Sequence, residues 1–210
     1  TMIKHIFEQR SEAWYHIRLG RITATSFSDL MAKKDTKGYN DLITDIAGEI
    51  LTEKKDESED YTSPAMERGV ELESEAVKLY EDLFELQVEK VGFITPDEDN
   101  EFAEWIGVSP DGLIGEDGGL EIKCPLRKTH LNYIENGVLP TTYKNQVQAS
   151  LWVSGRKWWD FMSYYPEMKP FIIRVFPDKE LHLKYEERLR ESILLIKNKI
   201  EIYKNYSFLK

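Results

Sequence analysis

The stretch from Ser109 to Pro125 limits the fold and the chemistry of this chain more than any other. Two runs with strand character, Gly112–Ile114 and Leu120–Cys124, flank the glycine-rich segment 115–119. Short apolar runs separated by glycines and acids are typical of a hairpin. The sequence therefore predicts an antiparallel strand pair here, with the residues at the two open strand ends close together.

Three charged side chains lie on or directly beside the two strands of this predicted hairpin. Asp111 starts the first strand, and Glu121 and Lys123 occupy alternate positions of the second, so they should share one face while Ile122 points into the core. Two carboxylates and a backbone carbonyl, such as that of Ile122, suit Mg²⁺. A lysine beside them can hydrogen-bond an attacking hydroxide, or take its proton if the lysine pKa is depressed. The alternative is a surface ion pair, but the apolar flanks indicate a buried strand, where charges need partners.

The rest of the chain alternates helical and extended patterns, which predicts an α+β fold with a central mixed, mainly antiparallel sheet flanked by helices. We expect one domain over residues 1–210. The predicted helices are Phe7–Leu19, a short helix ending at Met31, Tyr39–Glu53, Pro64–Phe84, Arg127–Asn136, Pro140–Ser154 and Asp178–Tyr203. The predicted strands outside the hairpin are Val88–Ile94, Phe102–Val108, Trp158–Tyr165 and Phe171–Phe176.

One long acidic helix carries two residues of interest. Gly69 interrupts good helix formers, which predicts close packing against another backbone. Glu73 lies four residues later on the same face and is a candidate inward-pointing acid. Taken alone, Glu73 is most simply a solvated helix glutamate.

Composition excludes several classes of protein. No apolar run approaches the roughly 18 residues of a membrane span, and no signal-peptide pattern is present, so we expect a cytoplasmic protein without membrane contact. The single cysteine, Cys124, excludes an internal disulfide and a multi-cysteine zinc or iron–sulfur site.

The charge is strongly uneven. A net charge of −10 argues against general affinity for nucleic acid. Residues 1–40 carry 7 basic and 4 acidic side chains, residues 41–123 carry 6 and 25, and residues 124–210 carry 15 and 9. The acidic residues of the middle segment either form an outer surface that repels nucleic acid or include ligands for cations, and both interpretations can be true at once.

A second candidate site surrounds the turn after the first helix. Its members are two arginines and two hydroxyl residues: Arg18, Arg21, Thr23 and Thr25. Guanidinium groups, hydroxyls and the N–H groups of a helix start can together bind one phosphate. The alternative, which this segment alone favours, is a helix-capping cluster with solvated arginines.

These residues resemble the signature of the PD-(D/E)xK nuclease superfamily, with Pro110-Asp111 and Glu121-Ile122-Lys123 as its core. The chain is more closely similar to the lambda exonuclease (YqaJ-like) family of phage recombination exonucleases. Further matching segments keep their order over about residues 10–165: Trp14 with Arg18-Leu19-Gly20, Ile22-Thr23-Ala24, Gly69 with Glu73, Tyr143 with Gln146-Val147-Gln148, and Trp152-Val153.

The resemblance implies a restriction-endonuclease-like core and a Mg²⁺-dependent exonuclease. Such an enzyme degrades one strand of linear duplex DNA from its 5′ end and leaves 3′ single strands for phage-type homologous recombination by strand annealing. The implied metal ligands are Asp111, Glu121, the Ile122 carbonyl and Glu73, holding two Mg²⁺ ions with Mn²⁺ as a substitute.

The same resemblance implies roles for the remaining candidates. Lys123 acts on the water, while Gln146 and Tyr143 orient substrate or water. The terminal 5′ phosphate is bound by Arg18, Thr23 and Thr25, with Arg21 in the same cluster. The expected assembly is a homotrimeric ring around DNA in a bacterial host cytoplasm, encoded by a phage or prophage, with a single-strand annealing protein as partner. A ring reconciles the acidic net charge with DNA binding, because basic residues need line only the channel.

Two other classes of function use the same residues. A site-specific or structure-specific endonuclease would cut covalently closed circular DNA, which an exonuclease leaves intact. A noncatalytic DNA-end binding module would bind DNA without regard to Mg²⁺ and form no product.

Overall fold

The computed structural model describes residues 2–55 and 64–208. The helices are α1 Glu12–Arg18, α2 Phe27–Leu30 after a 3-10 turn at Ala24–Ser26, α3 Lys37–Thr52, α4 Pro64–Phe84, α5 Arg127–Asn136, α6 Thr141–Ser154 and α7 Lys179–Lys204. The strands are β1 Met2–His5, β2 Ile22–Thr23, β3 Phe93–Pro96, β4 Ile106–Gly107, β5 Gly112–Ile114, β6 Gly118–Lys123, β7 Trp158–Ser163 and β8 Phe171–Val175. In this part of the chain no helix combines the length and apolar character needed to cross a membrane.

The largest sheet has the strand order β5-β6-β7-β8. β5 and β6 are antiparallel with Gly112 opposite Leu120, which confirms the predicted hairpin. β6 and β7 are parallel, and β7 and β8 are antiparallel. A parallel pair needs a crossover connection, and α5 and α6 provide it between β6 and β7. The sheet is therefore mixed, as the sequence predicted.

Helices cover both faces of this sheet, and the alternation of β6 decides which side chains reach which face. Toward α4, the buried contacts come from Ala76, Val77, Tyr80, Leu120, Ile122 and Met162. Toward α6 and α7, they come from Val147, Leu151, Trp159, Phe161, Leu189 and Ile193. Because Leu120 and Ile122 face α4, Glu121 and Lys123 face α6, the helix that carries Gln146.

Two short strand pairs bring the amino-terminal segment to the hairpin. β1 pairs antiparallel with β3, and β2 pairs parallel with β4. β3 also forms a bridge from Ile94 to Val108, just before the hairpin. β4, which precedes the hairpin, therefore lies beside β2, which follows α1.

Several predicted boundaries were wrong for local reasons. The first helix begins at Glu12 instead of Phe7, because Ser11 caps it by accepting the N–H of Trp14. β3 is formed by Phe93–Pro96 instead of Val88–Ile94. The predicted strand 102–108 is shortened to Ile106–Gly107 and the bridge residue Val108, because the Phe102 carbonyl accepts the N–H groups of both Trp105 and Ile106 in a turn.

The glycines differ in what they allow. A Cβ at Gly119 would lie 2.3 Å from the Trp159 ring, so glycine permits the close approach of β6 and β7. A Cβ at Gly69 would meet nothing within 4 Å. The prediction of close backbone packing at Gly69 was therefore wrong.

Candidate active site

The acid and the lysine of β6 form a buried ion pair. Glu121 is 2% exposed, and its Oε1 lies 2.6 Å from Nζ of Lys123. Gln146 Nε2, on α6, donates to the same oxygen at 2.6 Å. Strand alternation and the facing helix thus bring together Glu121, Lys123 and Gln146, all three of which were predicted from the sequence. Gln146 lies 25 positions after Glu121 in the chain.

Asp111 enters the site from the hairpin's first strand end. Its Oδ2 accepts the backbone N–H of Ile122 at 2.5 Å, which fixes the carboxyl beside β6. Burial raises the pKa of Asp111 well above its ordinary value, and the nearby carboxylates of Glu121 and Glu73 raise this pKa further. Lys123 and the Ile122 amide oppose this shift only in part.

Lys123 is an ammonium donor in this arrangement. Burial by itself would lower the pKa of Lys123, but Glu121 and Asp111 outweigh burial and raise it. The depressed pKa that a lysine base requires is therefore not found in this state of the site. The ammonium lies 5.1 Å from the centroid of the Tyr143 ring, within cation–π range.

Tyr143 belongs to an aromatic group behind the lysine. Its ring stacks on Phe161 with the centroids 5.2 Å apart, and Tyr133 lies close enough for Tyr143 to influence its pKa. Burial and the neighbouring Tyr143 raise the pKa of Tyr133 to about 12. A second tyrosine, from α5, thus lies near the ring that faces Lys123, and the sequence analysis did not identify it.

Glu73 reaches the edge of the same site from α4. Its side chain is 23% exposed, and its Oε2 lies 3.8 Å from Nη2 of Arg10. Its carboxylate is close enough to raise the pKa of both Asp111 and Cys124. The sequence left open whether Glu73 points into the site or into solvent, and in the structure its carboxylate lies near Asp111.

The donor set fits a divalent cation. In the described part of the chain, no three acidic, histidine or cysteine side chains form a compact cluster. The Glu121–Lys123 pair nevertheless leaves the partly buried Asp111 without its own cation, and the raised pKa of Asp111 reflects that imbalance. An ion such as Mg²⁺ binds through one or two carboxylates and keeps several waters, so it does not need a closed protein cage.

A cleft of about 850 Å³ lies beside the acid site. All four residues of the predicted phosphate cluster line it: Arg18, Arg21, Thr23 and Thr25. Arg18 Nη1 donates to Ser109 Oγ at 3.0 Å, and Trp14 Nε1 donates to the same oxygen at 2.8 Å. Because Ser109 precedes Asp111 by two residues, this serine joins the wall of the cleft to the acid site.

The arginine of this wall is held over an aromatic ring. The Arg18 guanidinium carbon lies 4.1 Å from the centroid of Trp14. Burial lowers the pKa of Arg18 to about 10, against the opposing effects of Glu49 and Tyr15. Arg18 therefore stays cationic at neutral pH while part of its hydration is removed, which strengthens its attraction for an anion.

The other members of the cluster differ in what they contribute. Thr23 Oγ1 and Thr25 Oγ1 lie 3.2 Å apart, so the two hydroxyls form one polar patch. Arg21 donates from Nη1 to the Ile17 carbonyl at 2.7 Å. Its Nε is buried and has no hydrogen-bond partner within the described residues. Arg21 is thus partly committed to the backbone of α1.

Comparisons with known proteins identify the family of this chain. A family model described as a YqaJ-like viral recombinase domain matches residues 13–157. The structure is similar to the alkaline exonuclease LHK-Exo from Laribacter hongkongensis, at 30% identity and a TM-score of 0.82, covering 92% of this chain and 96% of that one. The same enzyme in complex with dAMP matches at 29% identity and 0.82, with the same coverage.

A phage-related exonuclease from Haemophilus somnus 129PT matches at 16% identity with a TM-score of 0.62, over 86% of this chain and 95% of that one. At this identity the likeness shows the fold alone. A comparison with curated proteins gave no significant match.

Proposed function

This chain belongs to the YqaJ-like viral recombinase family, and we propose that it is a Mg²⁺-dependent exonuclease that shortens one strand of linear duplex DNA from its 5′ end. Family membership and likeness to an alkaline exonuclease make it a DNA nuclease of the phage exonuclease type. The metal, the polarity and the end product are our proposal. One observation carries it: Ser109, which accepts hydrogen bonds from Trp14 and Arg18 in the wall of the cleft, lies two residues before Asp111 of the acid site.

In the proposed site, two Mg²⁺ ions, with Mn²⁺ as a substitute, would be held by Asp111, Glu121, the Ile122 carbonyl and Glu73. When bound, such ions polarise a phosphoryl oxygen and make a bound water nucleophilic at neutral pH. The Ile122 N–H keeps the Asp111 carboxyl turned toward β6, so this ligand is oriented before any ion binds.

Lys123 and Gln146 are proposed to act on the reacting groups. Lys123 is cationic here, so its role is to donate a hydrogen bond to the attacking water or to the negative charge that develops on the phosphate. Gln146 and Lys123 share one oxygen of Glu121, so the glutamine holds that carboxylate in place when the lysine turns toward substrate. Tyr143 restricts the lysine from the other side.

The cleft is proposed to select the DNA end. Arg18 binds the terminal 5′ phosphate together with Thr23 and Thr25, and Arg21 supports the same pocket. The desolvated guanidinium over Trp14 supports this assignment, because a charge-assisted bidentate contact to phosphate is strong and directional. A strand end bound in the cleft then lies next to the acids that cleave it.

The wider setting is also proposed. We infer a homotrimeric ring around duplex DNA, a single-strand annealing protein as partner, and action in the cytoplasm of a phage-infected or lysogenic bacterium. The 3′ single strand that a 5′-directed exonuclease leaves is the substrate that strand annealing requires. A solution mass of one chain at working concentration would count against the ring.

The decisive experiment is digestion of linear duplexes labelled at either end, with Mg²⁺ or with EDTA. We expect early release of the 5′ label as a mononucleotide, retention of the 3′ label on a long product, and no product in EDTA. Cleavage of covalently closed circular DNA would identify an endonuclease instead. Metal-independent binding without product would identify an end-binding module.

A further inference from the structure

Arg10 has a backbone conformation that its residue type seldom adopts. Its φ is +71°, in the left-handed region that favours glycine. Non-glycine residues kept in such conformations cluster at functional sites, where the surrounding structure fixes them.

Both neighbours of Arg10 are anchored. Gln9 Nε2 donates to the Pro110 carbonyl at 2.8 Å and to the Val91 carbonyl at 3.3 Å. Ser11 caps α1, the helix that carries Trp14 and Arg18. The backbone of Arg10 is therefore fixed between the residue before Asp111 and the wall of the phosphate cleft.

The side chain of Arg10 lies between the two halves of the site. It lines the cleft that also contains Arg18, and its Nη2 lies 3.8 Å from Oε2 of Glu73. The Arg10 side chain is 48% exposed, and the contact is long. Half-exposed ion pairs of this kind contribute little stability, so the guanidinium can exchange Glu73 for another anion at little cost.

We propose that Arg10 binds a backbone phosphate of the DNA strand that runs from the cleft to the acid site. This inference rests on the proposed function, since it needs a strand whose end is in the cleft. A strand that connects Arg18 with Asp111 and Glu73 passes the guanidinium of Arg10, whose planar fork matches a phosphate. Glu73 is then released from its contact with Arg10 and becomes available as a metal ligand.

The test uses Arg10→Gly, Arg10→Lys and the control Lys78→Ala. Lys78 is an exposed lysine of α4 that pairs with Asp82. Binding to a 5′-phosphorylated linear duplex is measured over a range of salt concentrations in the Lys123→Ala background, which removes turnover. Glycine adopts a positive φ without strain, so Arg10→Gly is expected to unfold at an equal or higher temperature than its parent.

Arg10→Gly should bind about ten-fold more weakly, and the slope of log K against log salt should fall by about 0.9, the value for one lost phosphate contact. Arg10→Lys should keep most of the slope, and Lys78→Ala should keep both slope and affinity. An Arg10→Gly variant with the parental slope and affinity would overturn the proposal. A parent that does not bind linear duplex at all would instead refute the proposed function.

Discussion

Replacing Asp111 by asparagine separates the demands of folding from those of metal binding. Asparagine has nearly the same shape and retains an oxygen that can accept the Ile122 N–H, which Asp111 Oδ2 accepts at 2.5 Å. It removes the charge whose burial beside Glu121 and Glu73 raises the pKa of Asp111. Without metal, we therefore expect Asp111→Asn to be at least as stable as the wild type.

The expected stabilisation by Mg²⁺ follows from the linkage between ligand binding and folding. A ligand at a hundredfold excess over its dissociation constant stabilises the folded state by about 2.7 kcal/mol. For a chain of 210 residues, about 2–4 °C per kcal/mol converts this to an increase of roughly 5–11 °C in the unfolding midpoint. Wild-type protein should show this increase in Mg²⁺, and Asp111→Asn should lose most of it.

The same carboxyl predicts a pH dependence. The pKa of Asp111 is higher in the folded chain than in the unfolded chain, where it is near the ordinary 3.8, so folding takes up a proton between the two values. The stability contributed by this proton is present at low pH and is lost as the pH rises through the folded-state pKa. A tenfold difference in proton affinity between the folded and unfolded chains is worth about 1.4 kcal/mol. Asp111→Asn should remove this component.

Thermal unfolding in EDTA and in Mg²⁺, repeated at several pH values, measures all three effects. Asp117→Asn is the matched control, because Asp117 is an exposed acid of the same hairpin, paired with Lys157. The control should respond to Mg²⁺ as the wild type does. If Asp111→Asn is less stable than the wild type in EDTA and gains as much from Mg²⁺, the reasoning is refuted.

Three other substitutions test separate parts of the molecule. Lys123→Ala should keep duplex binding and Mg²⁺ stabilisation but lose turnover by about 10²-fold or more; near-normal single-turnover rates would remove this lysine from the mechanism. Arg18→Ala should reduce the preference for 5′-phosphorylated over 5′-hydroxyl ends by about ten-fold or more, and an unchanged preference would transfer the role to Arg21. Gly69→Ala should raise the free energy of unfolding by about 0.5–1 kcal/mol in urea titration, because a Cβ there meets nothing within 4 Å; a destabilised variant would contradict this.

The hairpin of the candidate active site was predictable because the sequence pattern that specifies it is local. Alternation along β6 and the glycine-rich turn were enough to place Asp111, Glu121 and Lys123 together, as the register of β5 and β6 confirms. Gln146 needed more than local information, since it approaches Glu121 through the crossover from β6 to β7. Its position followed from resemblance and not from any pattern around it.

The connection between the two halves of the site was not predictable from pattern. Ser109 stood inside the motif, yet nothing near it indicated that Trp14 and Arg18 would donate to its hydroxyl across more than 90 positions. The positive φ of Arg10 and the anchor at Gln9 also leave no trace in helix or strand periodicity. Such contacts depend on tertiary packing, which brings β3 beside both β1 and the residues before β5.

For the arginine residues, the sequence alone did not determine which side chains bind the backbone and which face the cleft. Arg156 follows Gly155 at the end of a predicted helix, as Arg21 of the phosphate cluster follows Gly20. In the folded chain Arg156 is 4% exposed, and its Nη1 donates to the carbonyls of Ile114, Gly115 and Gly118, which holds the hairpin turn. Arg18 instead faces the cleft. Residue type does not distinguish the two arginines. The carbonyl acceptors around Arg156 in the folded chain make it a structural arginine, whereas Arg18 is left to bind phosphate.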